Sequence, residues 1–91
     1  MSKKRDRLQV IYDILEVIRD KGENIKPTHI LYKSNLSHQM MQQYLGELIT
    51  KEFIIEKEND KGKTYSLTEK GFEYLKEYRQ ITKFVESFGL N

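Results

Sequence analysis

The chain has 91 residues, enough for one small domain and too few for two separate hydrophobic cores. Hydrophobic residues make up 37% of it and charged residues 33%, a balance that suits a globular fold and argues against disorder. Sixteen Lys and Arg against fourteen Asp and Glu give a formal net charge of +2, so any contact with nucleic acid depends on local basic patches. The lack of Cys excludes disulfides and thiolate metal sites.

The chain begins with a basic segment whose cations are Lys3, Lys4, Arg5 and Arg7. Two interpretations are open, a solvated tail or a contact with DNA phosphates. The segment also resembles the start of a signal peptide, but Asp13 and Glu16 interrupt the apolar stretch that follows it. No run approaches the ~18 to 20 apolar residues that span a bilayer. We therefore expect a cytoplasmic protein with no membrane contact.

The first predicted helix has clear signals at both ends. Asp6, with Gln9 three residues later, is a capping-box pattern that predicts a helix start. Gly22 favours the left-handed conformation that ends a helix. Between them, apolar residues recur at helical spacing: Leu8, Ile11, Ile14, Leu15 and Ile18. After this helix, Ile25 lies in a short extended segment before a proline and can supply a minimal strand.

Two further helices are predicted, joined by a short turn. Pro27 is well placed as the first residue of the second helix, and Ser34-Asn35 end it. Ser37 caps the third, whose apolar side consists of Met41, Tyr44, Leu45, Leu48 and Ile49. The other side of this third helix carries Gln39, Gln42, Gln43, Gly46 and Thr50. Such an amide face either reads adenine edges and contacts phosphates or is ordinary hydrophilic surface.

A two-stranded hairpin follows the third helix. Asp60, Lys61 and Gly62 supply turn chemistry, and Tyr65 and Leu67 alternate in the returning strand. Its cations are Lys57, Lys61 and Lys63, and its anions are Glu56, Glu58 and Asp60. The order of these elements predicts a winged helix-turn-helix, mainly α with a small β-hairpin, in which the third helix enters the major groove and the hairpin is the wing.

The last predicted helix is capped by Thr68 and continues without proline to about Phe88. Apolar residues spaced by 4, 3, 4 and 3 form a heptad stripe: Tyr74, Tyr78, Ile81, Val85 and Phe88. At ~1.5 Å per residue this helix measures about 30 Å, so its distal half must project from so small a body. We expect Phe72 and Leu75 to pack on the domain and a second copy to cover the rest. The alternative is a helix folded back along its own domain.

The chain is therefore divided into a winged helix-turn-helix domain at residues 1–70 and a dimerisation helix, continuous with it, at residues 68–91. A homodimer is the favoured arrangement, because the stripe is longer than one domain can cover. The predicted dimer interface consists of Tyr74, Tyr78, Ile81, Phe84, Val85 and Phe88.

The chain resembles the archaeal Sso-ten-a family of small dimeric winged-helix DNA-binding proteins and related predicted archaeal transcriptional regulators. The resemblance covers nearly the whole chain. It is carried by Arg7-Leu8 with the Ile-rich helix after them, by residues 30–37 (ILYKSNLS), by residues 44–48 (YLGEL) and by residues 65–71 (YSLTEKG). The two most informative pieces are the turn LYKSNLS and the junction YSLTEKG, although the second occurs in many winged-helix families.

The resemblance implies double-stranded DNA as the ligand and an antiparallel coiled coil of two last helices, with the winged domains at opposite ends of a rod. The family's DNA-contacting region carries over to Gln39, Gln42, Gln43, Lys61 and Lys63. More basic members carry Lys on the third helix where this chain has the neutral Gln42 and Gln43. That difference argues against salt-driven, non-specific coating of DNA.

The leading hypothesis is a homodimeric, nucleoid-associated transcriptional regulator with helix 37–50 in the major groove and hairpin 56–65 as the wing. Gln39 and Gln43 would face base edges, while the N-terminal cations and Lys33, Ser34 and Ser37 would contact phosphates. Two alternatives stay open: an architectural chromosomal protein, and a winged-helix module that binds other proteins and no DNA. His29 and His38 lack metal-motif spacing, and no catalytic motif, cofactor or small-molecule ligand is predicted.

Overall fold

The computed structural model describes residues 5–22 and 24–90. Its elements are α1 (Arg7–Lys21), α2 (Pro27–Ser34), α3 (His38–Thr50), β1 (Ile54–Asn59), β2 (Gly62–Leu67) and α4 (Glu69–Ser87). This order confirms the predicted fold class, four helices with a small hairpin. Lys3 and Lys4, predicted to contact phosphates, lie outside the described residues. Within the described ranges, no helix combines the length and the apolar character needed to cross a bilayer.

Local capping chemistry sets the helix boundaries where the sequence predicts them. The side chains of Asp6, Ser37 and Thr68 each accept a hydrogen bond from the backbone N–H three residues later, at 2.8, 3.1 and 3.2 Å. Gly22, with φ of 92°, ends α1, and Asn35, with φ of 54°, ends α2 in the left-handed conformation. The turn between α2 and α3 is therefore short.

Helix α1 forms the centre of the core and packs against α2, α4 and β2. Its residues Ile14, Leu15 and Ile18 have no exposed surface. Leu8, which the periodicity assigns to the same apolar face, is instead 55% exposed in the first turn. Val10 and Ile11 of α1 are also buried, and the other parts of the chain contribute the rest of the apolar core: Ile25, Ile30, Met41, Leu45, Leu48, Ile54, Tyr65 and Leu75.

The hairpin is antiparallel, with Ile54 opposite Leu67 and Asn59 opposite Gly62. Ile25 adds the predicted minimal strand, because it exchanges two backbone hydrogen bonds with Tyr65, of 3.1 and 2.9 Å. These bonds join the segment between α1 and α2 to the base of the wing.

Helix α4 packs on the domain through its first half. Gly71 and Leu75 are buried, and Tyr74 donates a hydrogen bond of 2.8 Å to the backbone carbonyl oxygen of Leu8. Tyr78, predicted to need a partner chain, instead contacts α1: its ring stacks on Tyr12 with centroids 4.7 Å apart. Its hydroxyl also donates to the side-chain oxygen of Gln9, at 2.9 Å. The part of the heptad stripe that packs on the chain's own domain therefore extends further along α4 than predicted.

Phe72 corrects the prediction in the other direction. It was expected to pack on the domain, yet its side chain is 51% exposed. The reason is the direction from which α1 meets α4: the contact is made by Leu75, Tyr74 and Tyr78, and Phe72 lies beside it.

The second half of α4 has few contacts with the rest of the described chain. Ile81, Phe84 and Phe88 are exposed by 62, 64 and 64%, while Val85 is half-buried. The rings of Phe84 and Phe88 lie 5.0 Å apart. The helix thus projects, as predicted, and gives the molecule a long dimension of 50 Å against 31 and 21 Å. The coiled-coil pairing stays a prediction.

Candidate nucleic-acid interface

Helix α3 presents the predicted amide face to solvent. Met41, Leu45 and Leu48 are at most 2% exposed and fix the helix on the core. The side chains on the other side of the helix are exposed, and they include the three predicted glutamines Gln39, Gln42 and Gln43. The helical periodicity read from the sequence therefore places these amides correctly.

One basic residue from the start of the chain reaches α3. Arg7 forms an ion pair with Glu47, and its guanidinium carbon lies 5.9 Å from the centroid of the Tyr44 ring. These residues, with Met40 and Gln43, line a cleft of about 190 Å³. The hydrogen bond and the negative charge of Glu47 raise the pKa of Arg7 above its ordinary value. Arg7 is thus held beside Gln43, and its charge is partly balanced.

Arg5 lies next to the turn between α2 and α3. It forms an ion pair of 2.7 Å with Asp13 and donates a hydrogen bond of 3.2 Å to the carbonyl oxygen of Asn35. Both described cations of the basic segment are therefore fixed against the domain by carboxylates.

In helix α2, one predicted phosphate contact is buried and one residue outside the predicted contacts is exposed. Ser34 is 1% exposed and its hydroxyl has no hydrogen-bond partner among the described residues, which corrects its predicted contact with a phosphate. Tyr32, which is not among the predicted contacts, is 84% exposed. Ile30 and Ser34 are buried one turn apart, so Tyr32, midway between them, points outward. The same spacing could have identified it in the sequence. Lys33 and Ser37 are exposed, as their predicted role requires.

The two lysines of the wing differ in their surroundings: Lys61, at the turn, is exposed, and Lys63, in β2, lies near carboxylates. The side-chain oxygen of Asn59 accepts a hydrogen bond of 2.8 Å from the backbone N–H of Lys61, which shapes the turn and leaves the Lys61 side chain exposed. Lys63 lies 4.0 Å from Glu56 and pairs across the ladder with Glu58. Of the two predicted wing contacts, Lys61 is therefore better placed for a phosphate.

This arrangement, an exposed helix after a short turn followed by a hairpin, agrees with a family comparison. The family described as winged helix-turn-helix matches residues 4–86. The chain belongs to this family. It is also 31% identical over 84 residues to the uncharacterized protein MJ0290 of Methanocaldococcus jannaschii, a match that covers 92% of the chain. The chain spans 37% of the length of that archaeal relative.

Solved structures share the fold. The crystal structure of Sso10a-2, a DNA-binding protein from Sulfolobus solfataricus, matches with a TM-score of 0.80 and 23% identity, over 92% of this chain and 85% of that one. BpsR of Bordetella bronchiseptica matches with a TM-score of 0.75 and 11% identity, over 86% and 61%. ZitR of Lactococcus lactis gives 0.69 and 21%, over 97% and 62%. The predicted resemblance to small archaeal winged-helix proteins is thus confirmed at the level of fold.

Proposed function

We propose that the protein is a transcriptional regulator that binds double-stranded DNA as a homodimer, with α3 in the major groove and the β1–β2 hairpin as the wing. The observation that carries the proposal is the exposed amide face of α3. Because an amide can donate and accept at once, it pairs with the adenine edge in the major groove. The family match and the DNA-binding protein Sso10a-2 among the structures of the same fold support this role over catalysis.

The proposed contacts divide into two kinds. Gln39 and Gln43 read base edges, with Gln42 beside them. Phosphates are contacted from the rim of the interface, by Arg5, Arg7, Tyr32, Lys33, Ser37, Lys61 and Lys63. Since several of these cations already have carboxylate partners, we expect modest affinity with partial sequence selectivity.

Homodimerisation is proposed through the projecting half of α4. Ile81, Phe84 and Phe88 are apolar, more than 60% exposed and one or two turns apart, a combination that is costly in water and typical of a helix awaiting a partner. Two winged domains, joined by their α4 helices, would then bind two half-sites together. We expect this protein in the cytoplasm, associated with the nucleoid.

Base reading is tested with Gln43→Ala on duplexes selected by the protein at physiological salt. The substitution should cost ~1 to 3 kcal/mol on the selected site and little on random DNA, because only the selected site offers the matching edge. Gln80→Ala, an exposed amide on α4, is the matched control and should bind like the unsubstituted chain. Equal loss on both duplexes would reduce Gln43 to a backbone contact. If selection returns no motif, the architectural role replaces that of a regulator.

One observation favours a second candidate, a protein-interaction module. The cations near the amide face are paired with carboxylates, Arg5 with Asp13 and Arg7 with Glu47, which lowers attraction for DNA. A titration with arbitrary duplex DNA at low salt separates the two candidates. Measurable association supports the DNA-binding proposal, and none at protein concentrations of about 0.1 mM contradicts it, since non-specific binding by such domains falls at 10⁻⁴ to 10⁻⁶ M.

A further inference from the structure

Helix α3, which the structure describes over its whole length, exposes one large apolar side chain, that of Met40. It is 41% exposed, whereas its neighbour Met41 is 1% exposed and belongs to the core. The fold therefore leaves much of the apolar surface of Met40 in water, on the side of the helix that carries the amides.

Met40 lies in the first turn of α3, one helical turn before Gln43. The Ser37 side chain accepts a hydrogen bond of 3.1 Å from the Met40 backbone N–H, which fixes this turn. Side chains three residues apart on a helix are neighbours, with Cβ atoms about 5 to 6 Å apart. Met40 and Gln43 accordingly line the same cleft, of about 190 Å³. In helix-turn-helix proteins, base edges are contacted by the N-terminal residues of the recognition helix, where these two side chains lie.

An A·T base pair offers a counterpart to each of the two side chains. In the major groove, adenine presents an acceptor and a donor that match the amide of Gln43, and thymine presents a C5-methyl group, which the other bases lack. Every adenine that Gln43 reads therefore brings a methyl group into the same groove. The Met side chain has three rotatable bonds, so Met40 can meet a methyl group on that base pair or on the next one. Their contact would remove apolar surface of both groups from water.

We propose that Met40 determines specificity by packing on the C5-methyl group of a thymine, on the base pair that Gln43 reads or on the adjacent one. The inference deepens the proposed function and rests on it, since it takes α3 to lie in the major groove. It adds a discrimination that the amide alone does not provide, because Gln43 pairs with adenine equally well whether thymine or uracil stands opposite.

Replacing thymine by deoxyuridine tests the contact, because the change removes the methyl group and keeps the hydrogen-bonding edge. The probe is the duplex selected by the protein at physiological salt, with each thymine replaced in turn. For the unsubstituted chain, replacement of the contacted thymine should weaken binding about fourfold, which corresponds to the ~0.8 kcal/mol of one buried methyl-sized group.

Two variants at the same position assign the effect to Met40. Met40→Gln has a side chain of similar length but polar character, and it should bind the thymine and deoxyuridine duplexes equally. Met40→Leu, the matched control, stays apolar and should keep the preference for thymine. Any effect of deoxyuridine on the shape of the duplex is the same for all three chains, so a difference between them reports on the side chain. Thermal unfolding checks that both variants remain folded, as this exposed position should allow.

The proposal would be overturned by equal affinity of the unsubstituted chain for all the duplexes, by an undiminished preference for thymine in Met40→Gln, or by loss of that preference in Met40→Leu. In each of these cases the selected duplex is still bound, so the proposed DNA-binding function stands. A selection that returns no motif also overturns the reading of thymine, without affecting DNA binding itself. Failure of the chain to associate with any duplex would overturn both proposals.

Discussion

Arg7 is the residue through which α1 contacts α3, beside the amide face of that helix. Glu47 holds it there, and the same carboxylate lies 3.9 Å from Lys51. In the proposed complex with DNA, Glu47 would therefore have two opposing effects. It places a guanidinium beside Gln43, and it balances the charge that a phosphate would otherwise attract.

Replacing Glu47 by Gln separates these effects, because the amide keeps the size of the side chain and removes its charge. We expect tighter binding to duplex DNA at low salt and a salt dependence steeper by about one unit of slope, as the freed Arg7 contacts a phosphate. Affinity measured across a salt series checks this. Glu73→Gln on α4 removes the same charge elsewhere and should change neither quantity. If Glu47→Gln still steepens the slope when Arg7 is also changed to Gln, the gain comes from Lys51 or from lost repulsion.

Two tyrosines link stability to alkaline pH. Burial, the larger cause, and a hydrogen bond of 3.0 Å to Glu56 together raise the pKa of Tyr65 to about 12. Burial is the largest cause that raises the pKa of Tyr74 to about 12, and the nearby charges of Tyr78 and Asp6 add to it. Both groups have an ordinary pKa of 10.0, so the folded chain favours the neutral phenol. Their contribution to stability is complete below pH 10 and is lost as the pH rises from 10 through 12.

The melting temperature should therefore fall steeply between pH 10 and 12, as measured by circular dichroism. Tyr74→Phe removes one ionisable phenol and should show a shallower fall over that range. Tyr32→Phe, on an exposed side chain, should fall as steeply as the unsubstituted chain. Identical slopes for all three chains would rule out Tyr74 as a source of the pH dependence.

At the scale of elements, the contact of α4 with Phe53, the residue before β1, and with Leu67 at the end of β2 depends on one glycine. A Cβ added at Gly71 would lie 2.5 Å from the carbonyl oxygen of Phe53 and 3.1 Å from a methyl group of Leu67. That oxygen also accepts hydrogen bonds from the backbone and the side chain of Thr68, so it is not free to move away. A side chain at this position therefore requires the first turn of α4 to shift.

Gly71→Ala should lower the free energy of unfolding by about 1 to 3 kcal/mol, because the added methyl group forces α4 away from the backbone of Phe53. Gly46 is the matched control. It lies inside α3 with no atom within 4 Å of an added Cβ, so Gly46→Ala should raise the free energy of unfolding by about 0.5 to 1 kcal/mol. Urea unfolding of both variants measures the difference. Destabilisation of similar size in both would mean that crowding at Phe53 is not the cause.

The elements also show how far the sequence determines the site. Helix starts at Asp6, Ser37 and Thr68 follow from local hydrogen bonds, and the amide face of α3 follows from helical periodicity, so both were predictable. The roles of Phe72 and Tyr78 were not, because they depend on the angle at which α4 crosses α1. That angle results from packing between residues far apart in the chain, which no local pattern encodes.

At the scale of the whole molecule, the proposed dimer would make the projecting half of α4 control how many winged domains act together on DNA. The chain alone is 50 Å long, and three of its exposed apolar residues, Ile81, Phe84 and Phe88, lie along the part of α4 beyond the contact with α1. A monomer would keep the amide face of α3 and lose only the coupling between two winged domains. Half-site binding and dimerisation can therefore be separated by a single substitution on α4.

Ile81→Asp is that substitution, since Ile81 is 62% exposed and contributes little to the fold of one chain. The carboxylate would lie in the apolar seam, where it has no charge partner, so the variant should sediment as a monomer at concentrations at which the unsubstituted chain is a dimer. Lys83→Asp places the same carboxylate on roughly the opposite side of α4 and should stay dimeric.

On a duplex with two half-sites, Ile81→Asp should bind no more tightly than on one half-site, because linkage of two winged domains is what raises the affinity of the dimer. A variant that remained dimeric, or an unsubstituted chain that sedimented as a monomer throughout, would show that this stripe does not join two copies. If the variant were monomeric but kept full affinity for the duplex with two half-sites, Ile81 would still belong to the dimer interface. The higher affinity for two half-sites would then not result from dimerisation through α4.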